Sequence, residues 1–105
     1  MLKKDIKIAR LVRKRIEAIP TFKRMVAFGS RARGKADPDS DLDLFIEVAD
    51  LSAEIREQIQ TAAWEVSLDQ GVVISTFIAS SDSLKRSLLA ANPLLKTIET
   101  EGVTI

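Results

Sequence analysis

An α/β (α+β) domain is predicted, with a small mixed sheet of three or more strands packed against helices. Three observations lead there. Apolar residues between positions 2 and 19 recur at steps of three and four, residues 41–48 alternate strictly between two kinds of side chain, and residues 72–79 form a nearly continuous run of strand formers.

The first helix follows from Leu2, Ile6, Ala9, Val12, Ile16 and Ile19, which fall on one helical face and stop at Pro20. Lys3, Lys7, Arg10 and Lys14 take the other faces, as an ordinary solvated basic surface would. Residues 21–28 carry β-branched and aromatic side chains and close on Gly29 and Ser30, so a strand should run into a tight turn. Ser30 can cap a short helix, and residues 35–40 read as a polar loop containing Pro38. In the strand 41–48, Leu42, Leu44, Ile46 and Val48 belong to a buried face, and Asp41, Asp43, Phe45 and Glu47 to a working face.

Ser52 precedes a helix reaching about Leu68, with Ile55, Ile59, Ala62, Ala63 and Val66 as its apolar stripe and Gly71 in the turn beyond. The run 72–79 fits a strand covered on both faces. A further helix is expected near residues 82–90. Asn92 then Pro93 reads as a cap followed by proline at the first helical position, opening a last helix that stops at Gly102.

With 105 residues the chain should form one domain, residues 1–105, with one core. Apolar residues are 46% and charged residues 30%, an ordinary globular balance. No run approaches a membrane span and the N-terminal residues lack the apolar stretch of a signal peptide, so a cytoplasmic location is expected and a membrane partner is not. The chain has neither cysteine nor histidine. That excludes disulfides, thiolate metal sites, imidazole-ligated zinc and Ser-His or Cys-His catalysis, and leaves oxygen ligands for any metal.

Net charge is +1, but residues 1–35 hold 12 Lys/Arg against Asp5 and Glu17, near +10, and the remainder is near −9. Either an anionic ligand sits on the basic part or the two parts face each other in the fold. Nucleic acid is not expected as the primary partner, because aromatic residues are only 5% and no nucleic-acid motif is present.

Gly29 and Ser30, where a strand meets a helix start, can point backbone N–H groups at phosphate oxygens. Glycine allows close approach, Ser30 adds a hydroxyl, and Arg31 or Arg33 can neutralise charge with a planar fork. Asp41 and Asp43 lie two apart on a strand, with Cα atoms roughly 6.5–7 Å apart, close enough to share a divalent cation. Magnesium suits one or two carboxylates completed by substrate phosphates and water. Taken alone, Gly-Ser is a common turn and DPDSDLD a common exposed acidic turn. A calcium loop fails the EF-hand template at Pro38, Leu42 and Val48.

The joint arrangement is more specific. Gly29-Ser30-Arg31-Ala32-Arg33-Gly34, followed by Ser40-Asp41-Leu42-Asp43-Leu44, resembles the signature of the minimal nucleotidyltransferases, relatives of the DNA polymerase beta superfamily. The likeness is tightest over residues 26–48. It implies the nucleotidyltransferase fold, Asp41 and Asp43 as catalytic metal ligands for Mg²⁺ or Mn²⁺, and Gly29, Ser30, Arg31, Arg33 and Ser40 near the phosphates of an NTP, ATP foremost. The implied reaction transfers an NMP to an acceptor hydroxyl and releases pyrophosphate. Members of this group resemble antitoxins that pair with a HEPN-type toxin, which some of them nucleotidylate.

One departure divides the function into two readings. The superfamily places a third carboxylate on the next core strand, where this chain has only Ser75 or Thr76. A neutral hydroxyl is a poor magnesium ligand and no general base, and Glu47 lies too far along the strand to replace it. The chain is then either an active transferase whose third carboxylate is absent or supplied in trans, or a degenerate module that holds a partner protein without turnover. A homodimer or hetero-oligomer is also expected, because a three-stranded sheet leaves an open edge and the tail 103–105 is apolar.

Overall fold

The computed structural model describes residues 1–35, 37–89 and 91–105. The chain runs α1 (Lys3–Ile16), β1 (Phe22–Phe28), α2 (Gly29–Ala32), β2 (Leu42–Val48), α3 (Ala53–Gln70), β3 (Ile74–Ser80), α4 (Ser81–Leu89), α5 (Pro93–Glu101) and β4 (Val103–Thr104). The four strands make one mixed sheet in the order β3-β2-β1-β4. β1 is antiparallel to β2 and β4, and β2 is parallel to β3.

Strand alternation gives the sheet two apolar faces, and helices cover both. Met25, Ala27, Leu42, Leu44, Ile46 and Val48 meet Ile8, Val12 and Ile16 of α1 and Ile59, Ala63 and Val66 of α3. On the opposite face Val26, Phe28 and Phe45 pack with Leu84 of α4 and Leu95 and Ile98 of α5. Phe45, expected on a working face, is therefore core, and it separates Asp43 at the start of β2 from Glu47 near its end.

Caps fix the helix ends. Ser52 accepts from the Ile55 N–H at 3.1 Å and Gly71, at φ 67°, closes α3 in the left-handed conformation. Asn92 accepts from the Leu94 N–H at 2.9 Å, and Pro93 opens α5 as its sequence requires.

Three expectations are corrected. α1 ends at Ile16, and the chain then leaves through Ile19 N–H to Ile16 C=O and Phe22 N–H to Ile19 C=O bonds, because Pro20 cannot extend a helix. β3 is an edge strand, partly exposed throughout, with Phe77 39% accessible, so its apolar run does not reflect burial on both faces. The tail 103–105 is engaged within the chain: β4 pairs with Val26 and Ala27, Ile105 N–H bonds to Met25 C=O, and Arg13 Nη1 donates to Ile105 C=O. It therefore covers the β1 edge instead of awaiting a partner. The expected helix end at residue 90 and position 36 of the polar loop lie outside the described residues.

Part of the charge asymmetry is internal. Arg15 pairs with Glu65, Arg24 with Glu47 and Glu99, and Arg33 with Glu101, each joining the basic third to the acidic remainder. Among the described residues no helix is long and apolar enough to cross a membrane.

Candidate active site

β1 ends at Phe28, and its register partner on β2 is Asp43, whose parallel partner on β3 is Ser75. Three strands thus meet at one end of the sheet, where β1 turns into α2 through Gly29. Gly29 has φ +79°, a conformation that glycine adopts without strain. A Cβ there would collide with Asp43 Oδ2 and stand 3.4 Å from its Cγ. The Asp43 carboxylate therefore lies directly against the Gly29 backbone, and the glycine is required for that approach as well as for the turn.

Burial, and secondarily the charge of Asp41, push the Asp43 carboxyl above its ordinary range. Asp41 is exposed at the mouth of β2, and Ser75 Oγ donates to its Oδ2 at 2.9 Å. Ser75 and not Thr76 occupies the β3 position beside the two aspartates. Its contribution is a hydroxyl that orients Asp41. Only the β2/β3 register singles it out, and the sequence left the choice between Ser75 and Thr76 open.

Glu47 shares the parity of Asp43 but is engaged elsewhere: Arg24 Nε donates to it at 2.8 Å and Ser81 Oγ at 2.8 Å. Arg33 is exposed at the end of α2, within 3.6 Å of Glu101. Ser30 is partly exposed beside Gly29, and Ser40 lies just before Asp41.

Arg31 behaves differently from the expectation that it faces phosphate. It is only 4% exposed, and its guanidinium donates to Asp5 Oδ1 at 2.8 Å, Ser40 C=O at 2.8 Å and Pro38 C=O at 3.3 Å. Those bonds hold it inside the fold. One row beyond Asp43 on the same face, Phe45, Phe77, Leu84 and Leu95 help to line a groove of about 330 Å³.

Among the described residues no group of three or more His, Cys, Asp or Glu could hold a metal. The pair Asp41 and Asp43 nevertheless suits a hard divalent cation that takes its remaining oxygens from a phosphate ligand and water. Such an ion relieves the repulsion by which the charge of Asp41 raises the proton affinity of Asp43.

The glycine turn against the Asp-x-Asp segment on a mixed sheet fits the signature of a nucleotidyltransferase domain. The family model for the nucleotidyltransferase domain matches residues 7–94, and the chain belongs to that family. No match was found among curated proteins. Among solved structures, the chain is similar to a toxin–antitoxin MntA–HpeT mutant in which two aspartates are glutamates, at 21% identity and TM-score 0.61, covering 95% of this chain and 70% of that one. A toxin–antitoxin with AMP-PNP shares 23% identity at TM-score 0.58, over 98% and 72% of the two chains. A complex of the tri-AMPylated HEPN toxin of Shewanella oneidensis with its MNT antitoxin shares 21% identity at TM-score 0.52, over 95% and 66%. These likenesses establish a shared fold, that of the minimal nucleotidyltransferase antitoxins.

Proposed function

We propose that this chain transfers an NMP from an NTP, with ATP as donor, to a hydroxyl of a partner protein, as the antitoxin of a HEPN-type toxin pair. The observation that carries the reading is the Asp43 carboxylate lodged against Gly29, with Asp41 two residues before it, just ahead of the start of β2. The AMP-PNP and tri-AMPylated complexes of its structural neighbours support the choice of ATP and of a protein acceptor.

Asp41 and Asp43 would hold Mg²⁺ or Mn²⁺, which supplies charge neutralisation of the triphosphate and polarises the phosphoryl group. Gly29 and Ser30 present the turn to the phosphates, with Arg33 and Ser40 at its margins. Arg31 is withdrawn from the phosphate ligands because Asp5 and the loop carbonyls take its donors. The groove beside Phe77 is open to the nucleoside. In the transfer the acceptor oxygen bonds to the α-phosphorus, the bond from that phosphorus to the bridging oxygen breaks, and pyrophosphate leaves with the electron pair. The hydroxyl proton passes to a carboxylate supplied in trans or to water.

Ser75 favours a second reading, a module that holds a partner protein without turnover, since a hydroxyl stands where a carboxylate would act as base. The transfer reading requires nucleotide binding, which Gly29→Ala tests. The substitution forces a left-handed alanine, a strain of roughly 1–3 kcal/mol, and displaces Asp43. Calorimetric titration with ATP and Mg²⁺ should show affinity falling roughly a hundredfold, about 2.8 kcal/mol. Unchanged affinity in the variant would remove the cradle from the transfer reading.

A further inference from the structure

The ion pair between Asp5 of α1 and Arg31 of α2 is buried, at 0% and 4% exposure, with 2.8 Å between Oδ1 and Nη1. Asp5 Oδ2 accepts no hydrogen bond among the described residues. A buried pair of this kind pays a desolvation penalty that apolar side chains of similar volume avoid, so its stabilising value is small. What distinguishes it is the geometry of the remaining donors. Arg31 Nε and Nη2 reach the carbonyls of Ser40 and Pro38, the two residues that flank Asp39 immediately before Asp41.

We infer that Asp5 and Arg31 are positioning residues for Asp41. Asp5 fixes the guanidinium from α1, the guanidinium grips loop 38–40 by two carbonyls, and that grip sets where Asp41 leaves the loop and enters β2. From the other side Ser75 holds the Asp41 carboxylate, and Leu42 N–H anchors the next residue to Val73 C=O at 2.9 Å. The planar fork is essential, because three acceptors, one on α1 and two on loop 38–40, converge on one group. Lysine, a point charge on a flexible stem, cannot span them. The inference rests on the reading of Asp41 as a metal ligand, and it assigns α1 a part in the site.

Two variants test it. Arg31→Lys keeps the charge and loses the fork, and the double variant Asp5→Leu with Arg31→Met replaces the buried pair by apolar side chains, a change that folded proteins tolerate. Amide exchange at Ser40 and Leu42 is followed together with Mn²⁺ binding by paramagnetic resonance in the presence of AMP-PNP. In the folded double variant, exchange at the two amides should quicken about tenfold, the equivalent of losing a charge-assisted hydrogen bond. The amides of α3 should stay slow, and Mn²⁺ affinity should fall roughly 10–100-fold, as when metal-supporting residues outside the ligand set are lost. Unchanged exchange at Ser40 and Leu42, or unchanged Mn²⁺ affinity despite a loosened loop, overturns the positioning role. Failure of the wild-type chain to bind Mn²⁺ at all overturns the metal reading instead, and the exchange data still decide whether the clamp exists. If Arg31→Lys does not fold, the double variant carries the test.

Discussion

Burial and the charge of Asp41 both disfavour the ionised form of Asp43, so the folded chain keeps that proton to higher pH than the unfolded chain does. The native state then binds more protons in the window above the ordinary value of 3.8, and metal-free stability should fall as pH rises through it. The penalty is complete once the carboxyl is ionised. Asp43→Asn removes it, and should raise the neutral-pH melting midpoint of the metal-free chain, by a small amount because the half-exposed site is screened by solvent. Thermal scans from pH 4 to pH 8 check both the direction and the flattened profile of the variant; a lower midpoint for Asp43→Asn at neutral pH would mean that the carboxylate is structural. At this scale the sequence revealed a good deal. Gly29, Asp41 and Asp43 were legible because a turn glycine and two acids at strand spacing make a pattern along the chain. The role of Arg31 was hidden, since its partner Asp5 lies 26 residues away and an arginine beside a glycine turn looks the same whether it faces solvent or core.

Among the elements, periodicity located α1, α3 and β2 because each buries a face, strand-forming composition located β1 and β3, and Ser52, Gly71 and Asn92 marked ends through their own backbone chemistry. An apolar run cannot distinguish an edge strand from a central one, which is why the exposure of β3 was missed. β4 escaped because two residues carry no period, although it closes the β1 edge. Its placement depends on Gly102: a Cβ there would collide with Ile98 C=O and Val26 Cγ1. Gly102→Ala should therefore cost about 1–3 kcal/mol through overpacking. Chemical denaturation should show that loss as a shifted midpoint, together with faster amide exchange at Ile105, whose bond to Met25 registers β4. Wild-type exchange at Ile105 in the variant would show that α5 can move aside without disturbing the sheet edge.

Across the whole molecule, helices on both faces of the sheet leave one end free, where β1 turns and β2 and β3 begin, and the polar residues of the signature gather there. The lopsided charge of the sequence is partly consumed in holding the two parts together through the Arg15, Arg24 and Arg33 pairs. That outcome could not be chosen from composition, because pairing depends on which segments the sheet order brings together. In the proposed reading the acceptor hydroxyl belongs to a partner protein. The most direct measurement is transfer itself: the chain, a HEPN-type partner, Mg²⁺ and ATP labelled at the α-phosphate. Label should pass to a hydroxyl of the partner with the wild-type chain and be lost with Asp43→Asn. Label that persists in Asp43→Asn, or its absence from every acceptor offered to a wild-type chain that binds ATP, would contradict transfer at this site.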